Sequence, residues 1–272
     1  MNSGFGSVAR AEWTKLRSVP STAWSVLALI GLTVLLSFFV AASVGISGGV
    51  PGCRPGAAGC GDEDVVMNGL SGVLFGQFAV VAIATLAVTG EYATGTMRST
   101  LTTVPKRSTV LAAKASVVGV LCLAAGLVAS LAAFLVSQPV LHGNGFVPEQ
   151  GYPIVSLADE PALRAVVGSG LYLALVGLLS LGVGMILRHT AAAITIMFGL
   201  LLVPFIAALL LPEHPRELVQ RYSPMTAGLA IQRTVERIDS VPIGVWAGLG
   251  VLAGWAVAAL VGGFVMINRR DA

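Results

Sequence analysis

Charged residues are scarce in this chain, and their scarcity argues against an ordinary soluble domain. Only 11% of its 272 residues are Asp, Glu, Lys or Arg, whereas 56% are hydrophobic and the mean hydropathy is +0.87. In soluble globular domains about a quarter of the residues are charged. The composition therefore predicts an integral membrane protein.

Cysteine and histidine are also rare, which argues against a metal site or a disulfide scaffold. The chain has three of each, with no CxxC pair and no Cys/His cluster at zinc-ligand spacing. Cys53 and Cys60 lie close together in an acidic segment that is rich in glycine and proline. If that segment faces the exterior, a disulfide between them would persist. A pair of free thiols is the alternative.

Catalytic and ATP-binding motifs are missing as well. No GxxxxGK[ST] sequence occurs, so the chain lacks the phosphate-binding loop of a P-loop ATPase. The stretch from Gly69 to Gly72 matches the GxSG pattern of intramembrane serine proteases, but no histidine lies within an apolar run to act as the base. We therefore interpret Ser71 as a packing residue and expect no catalytic residue, metal or cofactor in this chain.

Six apolar runs are long enough to cross a membrane, since about 20 residues of helix cover a hydrocarbon core of roughly 30 Å. None carries a charged residue or histidine away from its ends, which argues against a carrier driven by its own ion gradient. We predict an all-α membrane protein with one transmembrane domain over residues 1–272. The predicted spans are 23–46, 69–89, 110–137, 162–187, 191–211 and 243–267.

Residues 1–21 are basic, and their apolar side chains recur at helical spacing. This pattern predicts a helix that lies in the membrane interface, with Trp13 at headgroup depth and with Lys15 and Arg17 towards anionic lipid. Glu12 falls close to the apolar face, so we expect it to pair with Lys15 or to contact another protein surface. A signal peptide is disfavoured, because the next apolar run exceeds the roughly 7 to 15 residues of an h-region.

The distribution of basic residues predicts the orientation of the chain. If the loop 90–109 with the adjacent Lys114, the turn after 187 and both termini are cytoplasmic, the cytoplasmic side holds ten of the 16 basic residues and only three of the 13 acids. This bias is typical of membrane proteins. Because the basic residues do not form one continuous stripe, we expect no nucleic-acid partner.

Two further segments have a predicted structural role. Residues 212–242 fall on the outer side, and the stretches Pro215 to Arg221 and Pro224 to Arg237 are predicted to form short helices, neither long enough to span. In the last span, small residues recur at intervals that allow another helix to approach closely. These packing positions are Gly244, Gly248, Gly250, Gly254 and Gly262.

Two local motifs, together with the six spans, carry a resemblance to a known family. The segment from Gly90 to Arg98, GEYATGTMR, is followed by the basic stretch Thr103 to Arg107, and the chain opens with AEWTKLRS from Ala11 to Ser18. These features resemble the transmembrane subunits of bacterial type-2 ATP-binding-cassette (ABC) transporter permeases. The resemblance implies an interfacial helix before the first span, a cytoplasmic coupling loop at 90–109 and short re-entrant helices within 212–242.

The coupling loop of such permeases docks into a cytoplasmic ATPase. The resemblance therefore implies a transport subunit without its own ATPase site, in which ATP and Mg are bound by the partner ATPase. The implied coupling residues are Glu91, Tyr92, Thr94, Gly95, Thr96 and Arg98.

Further expectations concern the assembly. We expect an exporter of a hydrophobic or amphipathic substrate in the bacterial plasma membrane, with both termini cytoplasmic. Its expected partners are the ABC ATPase, a second permease subunit in a homodimer or with a similar partner, and membrane lipid. The alternative is a membrane scaffold or assembly factor that transports nothing.

Overall fold

The computed structural model describes residues 4–48, 64–97, 106–148, 152, 154–235 and 243–269, and these residues contain helices and no strand. A 3₁₀ turn spans Ala230–Gln232. The helices are α1 (Phe5–Ser18), α2 (Pro20–Gly48), α3 (Val65–Gly69), α4 (Val73–Thr94), α5 (Arg107–Gly143), α6 (Glu160–Leu187), α7 (Thr190–Leu210), α8 (Glu213–Tyr222), α9 (Pro224–Leu229) and α10 (Val245–Arg269).

Helices α2, α4, α5, α6, α7 and α10 are long and apolar enough to cross a membrane. The predicted all-α membrane fold with six spans is therefore confirmed. The second span differs from its predicted bounds of 69–89 at both ends. It starts later because Leu70 to Gly72 form a turn after α3, and it continues to Thr94, where Gly95 with φ of 72° ends the helix.

Helix α6 lies at the centre of the bundle and packs against α4, α5 and α10. About two thirds of its most apolar stretch, 67%, is buried, against 22% for each of α2, α7 and α10. Helix α2 packs against α4 and α5, and α1 packs mainly against α5. Helices α2, α7 and α10 therefore direct most of their apolar surface away from the rest of the bundle.

The segment between α7 and α10 is only partly inserted into the bundle. Helix α9 and the 3₁₀ turn are buried and contact α6 and α10. In contrast, α8 has no buried residue, because acidic and basic side chains recur along its 10 residues. The two short helices predicted within 212–242 correspond to α8 and α9, and burial in the bundle is confined to an inserted stretch at 224–232. Their re-entrant role stays a prediction, and residues 236–242 lie outside the described residues.

A buried carboxylate holds the end of this inserted stretch. Asp64, only 5% exposed, caps α3 by accepting a hydrogen bond from Met67 N at 3.0 Å. It also accepts hydrogen bonds from Thr234 Oγ1 at 2.7 Å and from Val235 N at 3.1 Å. These hydrogen bonds join the start of α3 to the residues that follow the inserted stretch. We term this region the distal end of the bundle.

The five glycines predicted to pack in the last span face different surroundings in α10. A Cβ on Gly248 would lie 1.9 Å from Ala227 O of α9, and one on Gly262 would lie 3.1 Å from Ile186 Cδ1 of α6. Around Gly250 and Gly254 nothing lies within 4 Å, and Gly244, which precedes α10, has only Ala247 of α10, at 4.0 Å. Only part of the stripe therefore packs within the chain. Cys53 and Cys60 lie outside the described residues.

Replacing Gly248 with alanine is expected to destabilise the bundle. The added methyl would overlap the carbonyl oxygen of Ala227, so α9 has to move, and overpacking of this kind costs about 1–3 kcal/mol. We expect a lower thermal unfolding midpoint in detergent for Gly248→Ala. The matched control is Gly254→Ala on the same helix, where a methyl has open space; equal midpoints for the two variants would contradict the packing described.

Candidate functional site: a four-charge cluster at the basic end

Four charged side chains from three helices meet at the end of the bundle where α4 finishes and α5 begins, which we term the basic end. Lys15 Nζ lies 2.7 Å from Glu12 Oε1 and 3.0 Å from Glu91 Oε1. Lys114 Nζ lies 2.5 Å from Glu12 Oε2 and 2.9 Å from Glu91 Oε1. Each lysine thus contacts both carboxylates. We call Glu12, Lys15, Glu91 and Lys114 the four-charge cluster.

The cluster is largely removed from solvent. The side chains of Glu12 and Lys114 are 3% and 4% exposed, that of Glu91 is 13% exposed, and that of Lys15 is 40% exposed. Taking an ion out of water costs several kcal/mol, which is recovered only when opposite charges and hydrogen bonds surround it. Lys114 Nζ donates a further hydrogen bond to Ala87 O at 3.3 Å. The charges therefore stabilise one another only as a complete set.

The two cluster members on α1, Glu12 and Lys15, are held in their charged forms. Burial raises the pKa of Glu12, but the charge of Lys114 and the hydrogen bonds from Lys114 and Lys15 outweigh it, so the pKa lies below 4.5. Burial lowers the pKa of Lys15, but hydrogen bonds to Glu12 and Glu91 outweigh it, so the pKa lies above 10.5.

These shifts make the electrostatic stabilisation of α1 depend on pH. The stabilisation from Glu12 is present above pH 4.5 and is lost as the pH falls through the lowered pKa of this group. The stabilisation from Lys15 is present below pH 10.5 and is lost as the pH rises through its raised pKa. Both contributions are therefore intact throughout the physiological range.

The sequence of α1 places Glu12 and the apolar Val8 on one buried face. Val8 and Glu12 are four residues apart, so they lie one above the other on the helix. Val8 packs with Val110 and Ala113 of α5, and Glu12 reaches Lys114 one turn further along. Of the other residues predicted for the interfacial helix, Trp13 is 45% exposed and Arg17 is also exposed, so both point away from the cluster.

Three of the six predicted coupling residues, Glu91, Tyr92 and Thr94, lie on α4 rather than in a loop. Residues 90–94 form the last turn of α4, where Glu91 makes its ion pairs, and α5 begins at Arg107. Residues 98–105 of the predicted loop 90–109 lie outside the described residues. Thr94 Oγ1 donates to Gly90 O at 2.9 Å and lies 3.0 Å from Thr96 Oγ1. Arg98 lies outside the described residues.

The two neighbours Glu91 and Tyr92 connect α4 to different parts of the bundle. Whereas Glu91 contacts α1 and α5, the ring of Tyr92 lies 5.0 Å from the guanidinium of Arg188, in the turn between α6 and α7. Arg188 also donates to Met266 O of α10 at 3.3 Å, and Arg107 of α5 donates to Ile267 O. The last turn of α4 therefore contacts α1 and α5 through Glu91 and is linked to α10 through Tyr92 and Arg188.

Lys114 is the member of the cluster that sequence reasoning misses. Its position beside a basic loop indicates an anchor that fixes topology, and we would expect such a lysine to be exposed. It is instead buried between Val110 and Val118, one turn to either side on the same face of α5. The spacing of four among these three residues was the available signal that this lysine faces the interior.

Removing the charge of Lys114 is expected to release α1. Lys114→Met leaves Glu12 without its closest cation, and breaking a buried ion pair in this way costs about 3–5 kcal/mol. We expect trypsin to remove the N-terminal helix of the variant faster, at Arg10 and Arg17. The matched control is Lys106→Met, an exposed cation at the start of the same helix; equal cleavage of both variants would contradict the role of the cluster.

Comparison with known proteins identifies the family. The family model described as ABC-2 family transporter protein matches residues 57–272, which include every helix from α3 to α10. A search of curated proteins gave no significant match. In this family the membrane protein is the transport component and normally works with a separate ATPase. The chain therefore belongs to the ABC-2 transporter family, as a multi-pass, membrane-spanning permease subunit.

Proposed function

We propose that this permease subunit exports a hydrophobic or amphipathic substrate across a bacterial plasma membrane. Two separate ATPase subunits bind ATP and Mg and supply the work, and a second permease subunit, identical or similar, completes the translocation path. Both termini are cytoplasmic, and the ATPase docks on the segment from Glu91 to Arg98. The four-charge cluster carries this proposal, because it ties the proposed docking segment to three helices at once.

The geometry of α4 favours a docking role for its end. Gly95 adopts a left-handed conformation and is exposed, so the chain leaves the helix axis there and presents Thr94 and Thr96 to solvent. Behind this exposed turn lies the buried part of the cluster, which is poorly deformable because each charge depends on its neighbours. A displacement of the exposed turn is therefore transmitted to α1 and α5 rather than confined to the turn.

Exposed apolar surface supports a second permease subunit and an apolar substrate. Helices α2, α7 and α10 bury the smallest share of their residues among the spans of the described chain. Large side chains such as Phe39, Leu209 and Trp246 are more than half exposed, at 56%, 67% and 58%. Surfaces of this kind face lipid, a second subunit or an apolar substrate.

The charge at the basic end supports a cytoplasmic location for it. This end carries an excess of basic side chains, as cytoplasmic loops of membrane proteins do. Among the described residues, the basic side chains at this end are Arg10, Lys15, Arg17, Lys106, Arg107, Lys114, Arg188 and Arg269, against the acids Glu12 and Glu91.

Replacing Gly95 with arginine is expected to abolish binding of the ATPase and therefore transport. The large side chain would occupy the proposed docking turn, and the left-handed backbone would be strained by about 1–2 kcal/mol. The measurement is co-purification of the ATPase subunit from membranes, together with substrate-stimulated ATPase activity.

A second glycine provides the control for strain and for insertion. Gly145 also has a positive φ, 99°, but lies after the far end of α5, away from the proposed docking turn. We expect Gly145→Arg to insert and to retain the ATPase. If Gly95→Arg also retains substrate-stimulated ATPase activity, the coupling role of this turn is wrong. If the wild-type chain binds no ATPase at all, the scaffold alternative is favoured.

A further inference from the structure

A cavity of about 450 Å³ lies between α1, the start of α2 and the end of α4. Its volume is within the range of about 300–1,000 Å³ typical of small-molecule sites. Its aliphatic wall is formed by Leu16, Val19, Ile83, Leu86 and Ala87. Val19 and Leu86 are 46% and 40% exposed, so the cavity opens to the surroundings of the bundle.

Polar groups line another part of the same cavity. The hydroxyl side chains of Ser21, Thr22 and Ser25 lie along one side of the first turns of α2 and contribute to the lining. Such hydroxyl groups donate hydrogen bonds to phosphate oxygens. Because α2 is a span that begins at Pro20, these hydroxyls lie at the boundary between the membrane core and the headgroup region.

One polar atom beside this cavity lacks a partner. Glu91 lines the cavity, and both lysines of the cluster bind its Oε1 atom, at 3.0 Å and 2.9 Å. Its other oxygen, Oε2, is buried, and no donor among the described residues reaches it. A buried carboxylate oxygen without a donor is costly, so a ligand with an N–H donor or a positive charge would be stabilised there.

We propose that this cavity binds an aminophospholipid from the surrounding leaflet. The ammonium group donates to Glu91 Oε2, the phosphate accepts hydrogen bonds from the hydroxyls of α2, and the first carbons of the acyl chains lie against Val19 and Leu86. This arrangement matches the aliphatic wall, the hydroxyl groups of α2 and Glu91 Oε2 each with a chemically complementary part of one molecule. It does not depend on the proposed export function, because it concerns the permease chain without its ATPase.

The test measures lipid retention by native mass spectrometry on the full chain purified in detergent. The chain is incubated with equal amounts of phosphatidylethanolamine, phosphatidylcholine or phosphatidylglycerol. Phosphatidylcholine has the same phosphate but no N–H donor, and phosphatidylglycerol has no ammonium group. We expect phosphatidylethanolamine to be retained about 10-fold better than either, the effect of one charge-assisted hydrogen bond.

Two tryptophan variants test the location of the site without touching the cluster. Leu86 lines the cavity and Leu131 of α5 does not, although each is 40% exposed. We expect Leu86→Trp to lose the retained phosphatidylethanolamine and Leu131→Trp to retain it as the wild type does. Equal retention by these two variants would overturn the proposed location.

A third variant tests the role of the carboxylate. Glu91→Gln removes the negative charge beside the cavity, so its retention of phosphatidylethanolamine is expected to fall to the level of phosphatidylcholine. An unchanged preference in Glu91→Gln, or equal retention of all three lipids by the wild type, would show that the ammonium is not recognised. If Glu91→Gln does not fold, the comparison of Leu86→Trp with Leu131→Trp decides the outcome.

Discussion

The cost of burying charge in an apolar protein is the constraint on which the basic end depends. Each ion removed from water costs several kcal/mol unless opposite charges replace its hydration. Glu12 and Lys114 are almost fully buried, so neither is tolerated without the other and without Lys15 and Glu91. The four charges therefore require one another. This electrostatic dependence, in addition to apolar contact, joins α1, the last turn of α4 and the start of α5.

The distal end is held by a different arrangement. There, a single carboxylate, Asp64, accepts hydrogen bonds from backbone and side-chain donors of the inserted stretch. Between the two ends the described core is apolar apart from small polar contacts, such as Gln77 Nε2 to Leu74 O at 2.7 Å and Tyr172 to Gln77. Strong electrostatic links thus occur where the helices end, and the middle of the bundle packs through apolar and small side chains.

The sequence predicts the spans well because a membrane imposes length and hydropathy on each helix. It predicts the helix ends poorly, since these depend on local contacts: Gly95 ends α4, and the ion pairs of Glu91 keep the last turn helical before it. Helix α8 shows the same limitation. Like α9 it has a proline at its start, but its acidic and basic side chains keep it at the surface. Burial of α9 depends on Gly248, a residue far along the chain.

Only part of the four-charge cluster can be predicted from the sequence. The position of Glu12 near the apolar face of α1 predicts an unusual partner, and the contact with Lys15 is present at 2.7 Å. Contacts with Glu91 and Lys114, which are 76 or more residues away along the chain, require the tertiary fold. Basic residues beside a membrane span are usually topological anchors, so a buried lysine is not distinguished by position alone.

The central claim is that α1 moves with the start of α5 as one unit, held by the four-charge cluster. Its most direct test is the distance between spin labels at the exposed positions Thr14 and Ser108, measured by pulsed electron paramagnetic resonance in the complex with its ATPase. We expect the same narrow distribution with and without bound ATP, and a broad one in Lys114→Met. A distance that changes with ATP while the cluster is intact would contradict the account.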